Sequence, residues 1–175
     1  ARRATVPGQH GAGRKTIKEY GLQHREKMTA RRYYGVQEKQ FREYYEKADK
    51  KAGVTGENML TILECRLDNV VYRMGLASSR KEARQMVRHA HFTLNGKKVD
   101  IPSIICKVGD VIALREKSKS SEKFKMLVET SETAVIPKWL EIDHANATAK
   151  VIALPKRDDI DFPFEEQLII ELYSK

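Results

Sequence analysis

At 175 residues and 41% hydrophobic content the chain can bury a core as one domain or two small ones, and no apolar run approaches membrane-spanning length. Its 33 Lys and Arg against 24 Asp and Glu give a net charge of +9. The charge is unevenly spread: residues 1–125 hold 28 basic against 14 acidic side chains, and residues 126–175 hold 5 against 10. That asymmetry points to a polyanion partner for the first part and a different neighbour for the tail. The two cysteines, Cys65 and Cys106, form no metal-type pair and no disulfide framework, which makes a reducing cytoplasm the expected compartment. The start, ARRATVPGQHGAGRK, lacks the apolar segment of a secretory signal and an initiating methionine, so a trimmed chain is expected.

Residues 1–13 carry Pro7 with Gly8, Gly11 and Gly13 and no apolar periodicity, the pattern of an extended arm. Within and just beyond it, GQHGAGRKT (residues 8–16) looks like a phosphate-binding loop. Arg14, however, separates Lys15 from the last glycine, and no buried strand precedes it, so a flexible basic arm is the better reading. Thr16 and Glu19 have the spacing of a capping box. Helices are predicted over Ile17 to Tyr33, broken near Gly21, and over Gln37 to Ala48, where Phe41, Tyr44, Tyr45 and Ala48 recur at helical spacing. Tyr33 and Tyr34, beside Arg31 and Arg32, read as one buried ring and one ring near a nucleic-acid partner. A loop around Gly53 leads to a short helix with Leu60 and Leu63 inside.

From Arg66 the pattern changes to that of a compact module. Leu67, Val70, Val71 and Met74 form one apolar stripe, which Gly75 ends. Ser79 and Glu82 form a second capping-box pair, opening a helix whose stripe is Ala83, Met86, Val87 and Ala90. At 3.6 residues per turn, Lys81, Arg84 and Arg88 point roughly opposite that stripe. Phe92 and Leu94 then alternate into Asn95-Gly96, a strong hairpin signal because both residues tolerate positive φ. Val99 and Ile101 continue the alternation, and VGDVIAL (residues 108–114) supplies a turn and a strand. Beyond Lys125 the chain turns acidic; Trp139, KVIALP and QLIIELY read as a packed loop, a strand and a final helix.

Few residues suggest catalysis or metal binding. His89 and His91 lie on different sides of a helix with no carboxylate or Cys at metal spacing. Arg66-Leu67-Asp68 matches the triplet that carries the catalytic aspartate in a family of pseudouridine synthases, yet it opens an apolar helix and no large mixed sheet follows to build a uridine pocket. Asp68 is better explained as a carboxylate complementing a helix N-terminus. No cofactor or metal is expected, and no enzyme. A DNA-binding helix-turn-helix is the rival for the basic helix, but neither a polar recognition helix nor dimer symmetry is evident. Arm, helix and hairpin are all basic, which suits the phosphates, 2′-hydroxyls and junctions of folded RNA.

RLDNVVYRMGLASSRKEARQMVRHAHFTLNGKKVDIPS resembles the S-four RNA-binding module, over roughly residues 64–127. PGQHG, EYGLQHREK, RRYYGVQEKQFREYY, TGENML and EQLIIELYSK extend the resemblance to the bacterial small-subunit ribosomal protein S-four family, across nearly the whole chain. The resemblance implies an α+β fold: a basic arm and mainly helical lobe (1–63), the RNA-binding module of helices and antiparallel strands (64–127), and an acidic segment (128–175) returning to the helical lobe. It also implies a primary binder of the 5′ region of small-subunit rRNA that nucleates assembly at a multi-helix junction, in the cytoplasm, within the ribosome. Two rigid lobes rich in cations suit such a junction. The candidate RNA contacts are Arg2, Arg3, His10, Arg14, Lys15, Arg31, Arg32, Arg66, Arg80, Lys81, Arg84 and Arg88, with Lys97 and Lys98 as a second tier. Arg14, Lys15 and Lys18 match the part that helps line the channel through which messenger RNA enters. Asp158 and Asp159 are candidates for the contact with the neighbouring protein S-five, through which the family affects decoding accuracy. About two dozen N-terminal residues, which bind zinc in some members, are absent relative to the family, and some members repress their own operon.

Overall fold

Helically spaced apolar residues and strands alternating about tight turns divide the chain between two cores. The computed structural model describes residue 5 and residues 7–13 and 16–175. In chain order its helices and strands are α1 (Glu19–Tyr34), α2 (Glu38–Asp49), α3 (Thr55–Glu64), α4 (Leu67–Arg73), α5 (Arg80–Arg88), β1 (Phe92–Leu94), β2 (Lys97–Val99), β3 (Val111–Leu114), α6 (Glu116–Lys119), α7 (Glu122–Ser131), β4 (Leu140–Asp143), β5 (Thr148–Val151) and α8 (Glu166–Tyr173). Short 3-10 turns occupy Gln9–Ala12 and Arg157–Asp159. The fold is α+β.

The stripe of α2 buries Phe41, Tyr44 and Ala48 against Ala30 and Tyr34 of α1 and Leu60 and Leu63 of α3. Ile160, Phe164 and Ile169 close this helical core, so α8 lies against the first three helices. The second core takes Leu67, Val70, Val71 and Met74 from α4, and Ala83, Met86 and Val87 from α5. Those residues pack on an antiparallel sheet of order β2-β1-β3-β5-β4. Asn95 (φ 50°) and Gly96 (φ 79°) make the tight turn between β1 and β2, with Leu94 opposite Lys97.

Several expectations change on folding. α1 runs unbroken through Gly21, because one interior glycine costs a helix only about 1 kcal/mol. The Thr16–Glu19 capping box does not form: α1 is preceded by Lys18 with no side-chain cap. Glu19 instead accepts from Gln23 at 3.1 Å and pairs with Lys175 at 3.5 Å, drawn away by the chain's end. Ile101 lies beyond the end of β2 and is exposed. The acidic segment 128–175 divides between the cores. Trp139, Leu140, Ala149 and Val151 join the sheet side, while Ile160, Phe164 and Ile169 join the helices.

Candidate nucleic-acid interface

α5 starts at Ser79, whose Oγ accepts the Glu82 backbone N–H at 3.2 Å. The reciprocal half of the capping box is displaced by one residue. The Glu82 carboxylate accepts the Ser78 N–H at 2.9 Å and its hydroxyl at 2.7 Å, and it pairs with Lys123 at 3.1 Å. Those bonds hold the Glu82 carboxyl down at about 2. With Ala83, Met86 and Val87 buried, helical geometry leaves Lys81 and Arg88 exposed and Arg84 half-buried.

Where the C-terminal end of α1 meets the start of α5, a cleft of about 400 Å³ is lined by Arg32, Tyr33, Asp68, Tyr72, Arg80, Lys81 and Arg84 among others. Four cations thus converge on one concavity. Arg80 is held most firmly. Its Nε donates to Asn69 Oδ1 at 2.8 Å, and its guanidinium carbon lies 3.9 Å from the Tyr33 ring centre and 4.4 Å from that of Tyr72. Its Nη2 is buried without a hydrogen-bond acceptor among the described residues. Among the described residues Asp68 is the one acidic side chain lining the cleft, and its oxygens accept Arg66 Nε at 3.0 Å and Nη2 at 2.7 Å. The cleft therefore suits an external anion, and a phosphodiester is the chemistry that four guanidinium and ammonium groups recognise.

The sequence matches known families on both sides of the chain's change of pattern. Residues 1–64 match the family described as Ribosomal protein S4/S9 N-terminal domain, and residues 65–112 match the S4 domain. A small ribosomal subunit protein uS4 from Acetivibrio thermocellus is 64% identical over 175 residues, covering 100% of this chain and 84% of that protein. Its namesakes from Clostridioides difficile and Ruminiclostridium cellulolyticum are 63% and 60% identical, covering 99% and 100% of this chain and 84% of each relative. The chain belongs to the small ribosomal subunit protein uS4 family.

The boundary between the two matched families, at residues 64 and 65, falls between α3 and α4, beside Arg66. That residue is a correction to the expected RNA contacts. Its side chain is 0% exposed, chelated by Asp68 and donating to Tyr44 Oη at 2.7 Å, so it cannot reach a partner. Burial alone works against the Arg66 charge, but the bonds and charge of Asp68 outweigh it and raise its pKa. Arg31 is engaged within the helical lobe, pairing with Glu38 at 2.8 Å and donating to the Val36 carbonyl at 3.3 Å.

Arg32, Arg80, Lys81 and Arg84 share the cleft, whereas His10 is exposed on the first 3-10 turn and Lys97 and Lys98 on β2 of the hairpin. Arg2, Arg3, Arg14 and Lys15 lie outside the described residues. Asp158 is exposed, while Asp159 is half-buried and accepts the Lys156 N–H at 2.8 Å. His91 bonds Ser118 Oγ at 2.9 Å, and burial lowers its pKa. Tyr34 is buried and Tyr33 lines the cleft. Sequence reasoning missed Tyr72 and Asn69. Spacing gave no signal for either, because Asn69 lies opposite the apolar stripe of α4 and is buried by tertiary partners.

Proposed function

We propose that this chain is a structural component of the small ribosomal subunit that binds rRNA through the cleft between α1 and α5. The observation that carries the reading is the convergence there of Arg32, Arg80, Lys81 and Arg84 from two elements, with the one acidic side chain already neutralised by Arg66. A concave set of fixed cations favours a site where RNA helices converge, so the chain acts as a primary binder nucleating the subunit body at a multi-helix junction of the 5′ region. Translational accuracy, the messenger channel near Lys18 and contact with protein S-five belong to the same reading. The chain works as a binder rather than a catalyst. Asp68, the aspartate a uridine isomerase would need, is 3% exposed and chelated by Arg66.

The test is to replace Lys81, Arg84 and Arg88 together by Ala and titrate a 5′-region rRNA fragment at several salt concentrations. Arg84 lies 3.7 Å from Asp68, which keeps its Arg66 partner, so the fold is expected to hold. Binding should weaken, and the slope of log affinity against log salt should fall by about one for each phosphate that the variant no longer neutralises. Unchanged affinity and slope in the folded variant would remove the cleft and its helix from the RNA surface. Turnover of uridine on bare rRNA would overturn the binder reading.

A further inference from the structure

Lys81, Arg84 and Arg88 owe their place to the helix period, but Arg80 is held by a chain of largely buried polar groups. Asn69 is 1% exposed and uses both ends of its amide. Its Nδ2 donates to the Glu64 carbonyl at 2.8 Å and to the Glu64 carboxylate at 2.7 Å, which leaves Oδ1 turned toward Arg80 Nε, 2.8 Å away. Glu64 is 0% exposed, and its carboxylate is fixed in turn by the Tyr34 hydroxyl at 2.7 Å and by Arg73 at 2.9 and 3.1 Å. The amide has one orientation that satisfies all of these partners. Arg80 is therefore not a mobile surface cation. Its Nε is committed, its planar face lies against two tyrosine rings, and Nη2 is buried, so Nη1, which has no acceptor among the described residues, is the amine left open to the cleft.

We propose that Asn69, locked by Glu64, is a positioning residue that presents the Arg80 guanidinium to a single RNA phosphate in the cleft; the proposal rests on the RNA-binding reading and names the group that anchors it. Asn69 cannot touch RNA, so its effect on binding runs through Arg80 alone. Lysine cannot replace Arg80, because an ammonium has neither the Nε–H that Asn69 accepts nor a flat face for Tyr33 and Tyr72. A charge that merely attracts phosphate would tolerate that exchange. A charge held in one geometry would not.

The experiment measures affinity of the full chain for the 5′-region rRNA fragment in Arg80→Ala, Arg80→Lys, Asn69→Ala and the Asn69→Ala, Arg80→Ala double variant, with thermal melts to confirm folding. Arg80→Lys is expected to bind about tenfold more weakly than the parent, close to Arg80→Ala, although its charge is retained. Asn69→Ala should weaken binding in the parent and add nothing once Arg80 is Ala, the non-additivity of residues acting as one unit. Parent-like binding by Arg80→Lys, or an Asn69→Ala loss that is the same in both backgrounds, overturns the proposal. If Asn69→Ala does not fold, the Arg80→Lys result decides alone, since that side chain is only partly buried. Failure of this inference is distinguishable from failure of RNA binding. In the first case Arg80→Lys binds like the parent while the Lys81, Arg84, Arg88 variant is weak; in the second the triple variant also binds like the parent, and both readings fall.

Discussion

Arg66 shows how a basic residue near the proposed RNA-binding cleft can serve stability instead of binding. Its guanidinium makes two bonds to Asp68 and one to Tyr44 while being 0% exposed. Replacing one partner of such a pair strands the other, which costs about 3–5 kcal/mol. Arg66→Ala is accordingly expected to lower the melting temperature sharply, since Asp68 would keep only the Asn69 N–H at 2.9 Å and the Arg84 guanidinium at 3.7 Å. At a temperature where the variant is still folded, its salt slope for RNA should match the parent's, which an RNA-contacting arginine would not allow. Glu82 carries a different kind of test. Its folded pKa of about 2 lies below its unfolded value of 4.5, so the unfolded state binds the proton more readily. The stability it contributes is fully present above pH 4.5 and is lost as pH falls from there toward 2. Melting curves across that window should show a decline in the parent that is reduced in Glu82→Gln, whose amide does not titrate. An identical decline in both proteins would assign the acid sensitivity to other carboxylates, Asp161 first among them, whose bonds from Arg73 hold it well below the usual range.

Gly75 governs how α4 gives way to α5. It adopts φ 78°, and a Cβ built there would lie 2.7 Å from the Ala134 Cβ. Gly75→Ala should therefore destabilise twice over, by about 1–2 kcal/mol for the left-handed backbone and further for the overlap with the segment after α7. Chemical denaturation measures the sum, and a loss near zero would mean that this segment moves aside at no cost. The same turn shows what was legible beforehand. The stripes of α2, α4 and α5, the stop at Gly75 and the Asn95-Gly96 hairpin are local patterns, and a local pattern can be read without knowing what it packs against. α7 spaces Phe124, Leu127, Val128 and Ser131 at i, i+3, i+4 and i+7, and β4 alternates Leu140 with Ile142, but each pattern spans one short element in an acidic stretch and does not fix where that element packs. Their existence depends on partners: β4 pairs with β5, and β5 with β3, which lies far earlier in the chain. The cleft was legible in part. The cationic face of α5 follows from the 3.6-residue turn, but the roles of Asn69 and Tyr72 and the burial of Arg66 are set by tertiary partners that no spacing announces.

The acidic excess of residues 126–175 is partly consumed inside the fold. Asp161 accepts from Arg73 and Tyr33, Glu166 pairs with Arg157 at 3.1 Å, and Asp159 accepts the Lys156 N–H. The Asp161 bonds anchor the returning segment to Tyr33 of α1 and Arg73 of α4, two elements that also build the cleft, while the other two brace the segment internally. Asp158 is different, being exposed on the 3-10 turn with no hydrogen bond or ion pair among the described residues. Its neighbours Lys156 and Arg157 keep the local charge mixed, so a single substitution there changes sign without creating a large basic patch. An exposed carboxylate facing rRNA would be repelled, which favours a basic protein neighbour, and protein S-five is the proposed one. Rim charges of this kind adjust a weak contact rather than hold an assembly together. Asp158→Lys is therefore expected to leave subunit yield nearly unchanged on sucrose gradients yet shift misreading of a near-cognate reporter codon in living cells. Asp159→Lys is the contrasting variant. It breaks the bond to Lys156 and the turn that leads Ile160 into the helical core, so its effect should show as lowered thermal stability of the isolated protein. Unchanged misreading in Asp158→Lys, or crosslinks from position 158 that reach rRNA alone, would remove the protein neighbour from this surface and leave the tail's charge with a purely internal role.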